Sequence, residues 1–388
     1  MRDRLQLARW TRGAICAASV LFVSVRLTAA SLPGSIFAPY STPASEEKKL
    51  SIFVLLIAAV IFSGVSSLLV YALVRFRSRP HDTAEPPQVF GSMQIELSWT
   101  IIPILIIVVL FLGTARVLFS VQDAPRPANA LDVIVVGHQF WWEFRYPQYN
   151  VVTANELHVP VSSKAEPRET FLKLTSADVM HSFWVPKLGG KTDLLPNRVN
   201  EMWFDPQEPG LYVGQCAQFC GAQHAKMLLR VYVDTPDKFQ QWIAEQQKSQ
   251  AEIANAHLTM ASMPNAGNQN SAGGNPPNTQ ATNGETMAQS ADISDAVTPQ
   301  NGQLVFEREA CISCHTVQGT VANGRYGPDL THLMSRATLA AGAVENTPGN
   351  LEAWIKDPAQ FKPGCLMPAM HLTDRENQQM TAYLLTLK

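Results

Sequence analysis

The chain has 388 residues, enough for two or three domains, with 46% hydrophobic and 16% charged residues. A formal net charge of -2 leaves no excess of positive charge to hold nucleic acid or an anionic lipid surface. Its six cysteines are too few for a disulfide scaffold, and four fall in two compact pairs, which points to metal or cofactor attachment.

In chain order, residues 1–30 read as a secretory signal peptide: Arg2, Arg4, Arg9 and Arg12, an apolar run over 14–25, then Thr28-Ala29-Ala30. Cys16 lacks a lipoprotein box and reads as incidental. Residues 48–121 read as a transmembrane hairpin, with helices over about 50–75 and 97–119. Each apolar run exceeds the ~20 residues that span a bilayer core. Pro103 is expected in the first turns of the second helix, where a missing N–H is tolerated. Arg75, Arg77 and Arg79 between the runs place that connection on the cytoplasmic side, so the chain beyond residue 121 is expected on the outer face of the cell membrane.

Residues 130–245 lose the helical period. Short β-branched and aromatic runs at 132–136, 140–146, 170–174, 199–204, 212–214 and 227–233 suggest an antiparallel sandwich or barrel. Within this region, residues 216–227 read CAQFCGAQHAKM. Two thiols, an imidazole and a thioether in twelve residues make a soft-ligand cluster of the kind that selects copper. A disulfide between Cys216 and Cys220 beside an unrelated histidine is the competing explanation. Upstream, His181 in DVMHSFWVP is a second candidate imidazole, although a histidine beside Phe183 and Trp184 also suits a core.

The hairpin, WTIIP at 99–103, the aromatic run after GHQ at 137–139, DVMHSFWVP and CAQFCGAQHAKM together resemble subunit II of haem–copper cytochrome c oxidases, over about 48–234. The resemblance implies an all-β cupredoxin (Greek-key) domain holding the binuclear copper centre CuA. Cys216 and Cys220 would bridge the coppers, His181 and His224 would each bind one, Met227 would be a weak ligand, and the Gln218 carbonyl would complete the set. Many relatives have a glutamate in place of Gln218 that helps hold magnesium, so the amide puts a magnesium site in question. The resemblance makes Phe140, Trp141 and Trp142 candidates for accepting incoming electrons, and Glu96 a candidate for the mouth of a proton pathway. It also sets Asp178, Asp193 and Arg198 near a subunit interface.

Residues 246–297 are expected to form a flexible linker, since 253–284 contain no Asp, Glu, Lys or Arg. Random-coil scaling gives such a tether about 35–40 Å of root-mean-square reach. Residues 298–388 follow, with Cys311-Ile312-Ser313-Cys314-His315, the c-type haem attachment pattern. They resemble an all-α class I cytochrome c, which implies thioethers from Cys311 and Cys314 and axial ligation by His315 and Met367, with Met370 as the competitor for the sixth position.

The expected molecule is a multidomain membrane protein that serves as the electron-input subunit of a respiratory terminal oxidase. The resemblance implies haem c and CuA as cofactors. Its implied partners are a haem–copper subunit I, a subunit III and a cytochrome c-type donor, with oxygen reduction and proton translocation located in subunit I. A CuA-bearing subunit of a nitric oxide reductase, a copper-free structural subunit of a quinol oxidase and a copper-delivery or assembly protein are the alternatives.

Overall fold

The structure, a computed structural model, describes residues 34–77, 88, 90–122, 124, 126–247 and 295–388. The expected signal peptide and nearly all of the expected linker lie outside the described residues.

Two long helices, α1 (Thr42–Arg75) and α2 (Met93–Gln122), are long and apolar enough to cross a membrane. Both begin before the apolar runs do, because polar lead-in residues are also helical. As a result Pro103 lies well inside α2 rather than in its first turns. A proline there removes one backbone hydrogen bond, which a membrane helix tolerates when neighbouring groups compensate. The outer ends of both helices are tied to the β domain. Ser41 caps α1 by accepting from the Ala44 N–H, and its hydroxyl donates to the Leu188 carbonyl. The Thr42 N–H donates to Asp205 at 2.6 Å, and Trp203 Nε1 donates to the Val121 carbonyl at 2.6 Å.

The β domain is a sandwich of two five-stranded sheets. The first sheet has the order β3 (Val151–Ala154), β2 (Trp141–Tyr146), β1 (Leu131–His138), β5 (Thr170–Ser176), β8 (Asn200–Phe204). The second has the order β4 (Glu156–Pro160), β10 (Leu228–Asp234), β9 (Gly210–Cys216), β6 (His181–Trp184), β7 (Thr192–Leu194). Burial alternates along β1, β5 and β10, so one face of each strand enters a core with Trp142, Phe144, Phe183, Leu172 and Val231. The chain changes sheets at Asn155, in the left-handed region at φ 64°, where its side-chain carbonyl accepts from the Trp142 N–H at 3.0 Å. The sheets are mixed, not purely antiparallel, because β1 runs parallel to β5 and β10 parallel to β4. Strands that leave one sheet for the other and return by a crossover can arrive in the same direction as their neighbour.

A helix over 236–247, α3, closes the sandwich. It takes up the first two residues expected in the linker, and Gln246 Nε2 reaches Ser335 Oγ at 3.4 Å.

The last domain is built on α4 (Pro299–Arg308), α5 (Cys311–Cys314), α6 (Pro348–Lys356), α7 (Pro358–Phe361) and α8 (Asp374–Leu384). Threonines 298, 347 and 373 cap α4, α6 and α8, the last through a full capping box with Glu376. The helices α4 and α8 cross at Gly302, where a Cβ would lie 1.9 Å from the Gln379 carbonyl oxygen. A small hairpin, β11 (Thr338–Leu339) with β12 (Val344–Glu345), departs from the all-α expectation. It folds over the cavity wall, and its strands are only two residues long.

Candidate functional site

The cupredoxin end of the sandwich brings together donors that lie far apart in sequence. Strand β6 pairs with β9 so that Phe183 stands opposite Cys216, and this register sets His181 beside the thiol. His181 Nδ1 lies 4.0 Å from Cys216 Sγ. Beyond β9 the loop turns back through Gly221 and a short 3-10 turn, His224–Lys226, before β10. Cys220 Sγ thereby lies 3.8 Å from His224 Nδ1 and 3.9 Å from Met227 Sδ. The two cysteines are free thiols, buried, with 3.9 Å between sulfurs. The competing disulfide is therefore not formed. The Gln218 carbonyl oxygen lies 3.2 Å from Cys216 Sγ.

The ring of His181 is oriented by Asp178, whose Oδ1 lies 2.8 Å from Nε2. A carboxylate only accepts, so the proton belongs on Nε2 and the Nδ1 lone pair faces the thiols. Burial opposes a charge on His181, but Asp178 and Cys216 together outweigh it and the pKa is raised. Burial likewise opposes ionisation of Asp178, and hydrogen bonds from His181 and from the Gln139 and Val179 amides bring its pKa below the ordinary carboxylate range. Contact with the Cys220 thiol, aided by His181, pushes the Cys216 thiol far down, while Cys220 holds the shared proton and is pushed up. One member of the pair is thus ready to act as a thiolate, the form that binds metal. Buried sulfur and imidazole donors converging on one small space fit soft metal ions such as copper.

Gln139 is a supporting residue that the sequence reading passed over. Its amide Nε2 donates to the Cys220 carbonyl at 2.6 Å, and its backbone N–H donates to Asp178 at 2.6 Å. It braces both sides of the donor cluster. Its place directly after His138 in the GHQ stretch was the available signal.

The candidate aromatic residues are all buried. Trp142 is fully enclosed, edge-on to His181 with ring centroids 6.1 Å apart. Trp141 stacks on His138 at 4.1 Å and packs against Ala154 and Ala341. The Phe140 ring lies against Gly221, where a Cβ would come within 3.0 Å of it. Glu96 is exposed in the first turn of α2. At 1.5 Å per residue it lies about 40 Å along the helix from Val121, where α2 meets the sandwich.

The second site is a cavity of about 850 Å³ whose walls include Cys311, Cys314, His315, Trp354, Met367 and Met370. His315 Nδ1 lies 2.8 Å from the Pro328 carbonyl oxygen, which fixes the proton there and leaves Nε2 as the free donor. Burial pushes the His315 pKa down, so the ring is held neutral, as a metal-bound imidazole must be. Gly327 is required beside it, because a Cβ at that position would lie 2.5 Å from the ring. Two thiols, a neutral imidazole and two thioethers around an apolar cavity fit a covalently held haem. Both methionines line the cavity, and Cys365 Sγ is engaged with the Met367 carbonyl oxygen at 3.5 Å.

Comparison with known proteins places these domains in order. The transmembrane domain of cytochrome c oxidase subunit II matches residues 31–116, the periplasmic domain of the same subunit matches 165–233, and cytochrome c matches 299–388. The chain is 32% identical over 343 residues to cytochrome c oxidase subunit 2 of Alkalihalophilus pseudofirmus, covering 86% of each protein. It is 30% identical over 375 residues to the Bacillus subtilis subunit, covering 91% of this chain and 92% of that one. The crystal structure of the periplasmic domain of subunit II of cytochrome oxidase from Bradyrhizobium japonicum aligns at 29% identity and a TM-score of 0.29, over 32% of this chain and 96% of that one. The chain belongs to the cytochrome c oxidase subunit II family, a component of an oxidoreductase complex, and it carries a cytochrome c domain after the copper-type domain.

Proposed function

We propose that this chain is the electron-input subunit of a respiratory terminal oxidase in the cell membrane, with its β and haem domains on the outer face. It takes electrons from a cytochrome c-type donor and delivers them to a haem–copper subunit I, where oxygen is reduced to water and protons are translocated. Bound haem c and binuclear CuA would each supply reversible one-electron chemistry.

The protein's part is to hold both groups with little movement. Cys311 and Cys314 would hold the haem through thioethers, and His315 and Met367 would supply nitrogen and sulfur donors to its iron. Cys216, Cys220, His181, His224, Met227 and the Gln218 carbonyl would together hold the copper centre. The observation that carries this reading is the convergence of His181 on Cys216 and of His224 and Met227 on Cys220. Asp178 and Gln139 hold that set on a rigid sandwich, which keeps the donors in place whatever charge the site carries. Glu96 would stand at the cytoplasmic mouth of a proton pathway shared with subunit I.

Metal analysis and electron paramagnetic resonance on the purified full complex test the proposal. Two coppers and one covalent haem should be found in this chain, with a signal from one electron shared between two coppers. A single copper, or none, overturns the CuA assignment. Oxygen uptake rather than nitric oxide consumption should accompany donor oxidation. Met367→Ala should abolish the absorption of thioether-ligated haem, and an unchanged spectrum would move that role to Met370.

A further inference from the structure

The two candidate cofactor loops touch each other. On the sandwich side is the loop 221–226, between Cys220 and Met227. On the haem side is 361–364, which leads to Met367. Lys226 Nζ donates to the Phe361 carbonyl at 2.7 Å, and Gln223 Nε2 donates to the Pro363 carbonyl. Between these bonds Gly364, at φ +81°, comes so close that a Cβ on it would lie 3.3 Å from the Ala222 Cβ.

Two buried charged side chains, each 3% exposed, hold this contact from either side. Lys362 directs its ammonium into the sandwich, donating to the Phe140 carbonyl at 3.1 Å and to the Ala340 carbonyl of its own domain at 3.2 Å. The Phe140 ring in turn rests on Gly221 in the copper loop. Glu156, on β4, points the other way. Its carboxylate accepts from the Ala337 N–H at 3.1 Å and from the Thr338 N–H and hydroxyl at 3.0 Å each. Among the described residues, every hydrogen bond this carboxylate accepts comes from the haem domain. Arg230, its register partner on β10, donates to the same Thr338 hydroxyl at 2.6 Å. The Leu228 N–H donates to the Ala341 carbonyl at 3.2 Å, and Ala341 seals Trp141.

A carboxylate that docking buries is strongly penalised in any docked arrangement that does not bring it these donors, because its hydration is lost without replacement. Such a pairing therefore specifies one docked arrangement rather than a range of encounters. We propose that Glu156 and Lys362 are positioning residues that lock the haem domain onto the sandwich, set the Met367 loop against the Cys220–Met227 loop, and close the Phe140–Trp141 face to any separate protein donor. This rests on the electron-input reading above. It deepens that reading in one respect: a donor protein can deliver electrons only to the haem domain, and the step from haem domain to sandwich proceeds within a preformed contact rather than by a swing of the tether.

The test uses the full chain in its complex, with Glu156→Gln and Lys362→Met made singly and together. Thr338→Val serves as a milder variant, removing the shared hydroxyl at nearly constant volume. Amide exchange at residues 337, 338 and 228 reads the lock directly. Rapid mixing with a small-molecule reductant separates haem reduction from electron arrival at copper. In the double variant, haem and copper spectra and the haem reduction rate should stay at wild-type values. Exchange at the three amides should rise, and electron arrival should slow, on the order of tenfold or more for each buried pairing lost. Unchanged exchange, or increased exchange with an unchanged transfer rate, overturns the proposal. If copper or haem is absent from the purified complex, the electron-input reading fails by itself, while the exchange measurement still decides whether the two domains are locked.

Discussion

The sandwich and the haem domain solve the same problem in opposite ways. The sandwich has a continuous apolar core of its own, with Trp142, Phe144, Phe183 and Phe204 fully enclosed, and its metal donors sit at one rim. The haem domain arranges short helices around a cavity of about 850 Å³, which the sandwich residues His138, Phe140 and Trp141 help to wall. One domain packs a full core and sets its donors at the edge. The other packs its helices around an apolar cavity.

The sharpest way to break that comparison is to remove each cofactor. Emptying an apolar cavity of this size leaves the side chains of its wall without packing partners, and that loss destabilises a small helical domain. Cys311→Ser with Cys314→Ser should therefore leave the haem domain largely unfolded by circular dichroism and limited proteolysis, while the β domain keeps its fold. Copper chelation should leave the β signal in place at room temperature and lower the melting temperature only by what the lost metal binding contributed. If chelation unfolds the sandwich, the contrast between full core and apolar cavity is wrong.

A smaller effect is expected from Trp142→Ala, which empties the centre of the sandwich beside His181 and should cost about 3–5 kcal/mol in denaturant unfolding of the β domain. The haem absorption band should not move, since Trp142 is not among the cavity residues.

The smallest effect belongs to the cap of α8. Thr373→Ala removes the hydroxyl that accepts from the Glu376 N–H at 3.2 Å and should destabilise the haem domain by about 1 kcal/mol. Glu376 has a lowered pKa, first through the Thr373 amide and hydroxyl and then through Arg308. A lowered carboxylate pKa means that its contribution is complete above the ordinary value of 4.5 and is lost as pH falls through the folded value. The melting difference between wild type and Glu376→Gln, followed by haem absorption, should therefore shrink below pH 4.5 and stay constant above it.

Much of this was legible in the chain because the decisive signals are local. Apolar length marks α1 and α2, and Cys-x-x-Cys-His is recognisable as a c-type attachment pattern whatever surrounds it. Thr373 and Glu376 mark the start of α8 by the reach of one side chain. The cluster at 216–227 announced a soft-metal loop for the same reason. Strands β3, β4, β6 and β7 escaped the reading because they have three to five residues each, too few to show a period.

The order of the domains, the two membrane-length helices and the clustering of soft donors at 216–227 could thus be read from the chain alone. Only the tertiary structure decided that Asp178 and Gln139 brace the donors, that Phe140 and Trp141 are covered by the haem domain, and that Glu156 meets Thr338 across 182 positions of chain. The physical reason is range. Caps, spans and attachment motifs are satisfied within a few residues, whereas a buried charge reveals its partner only when two domains have closed over it.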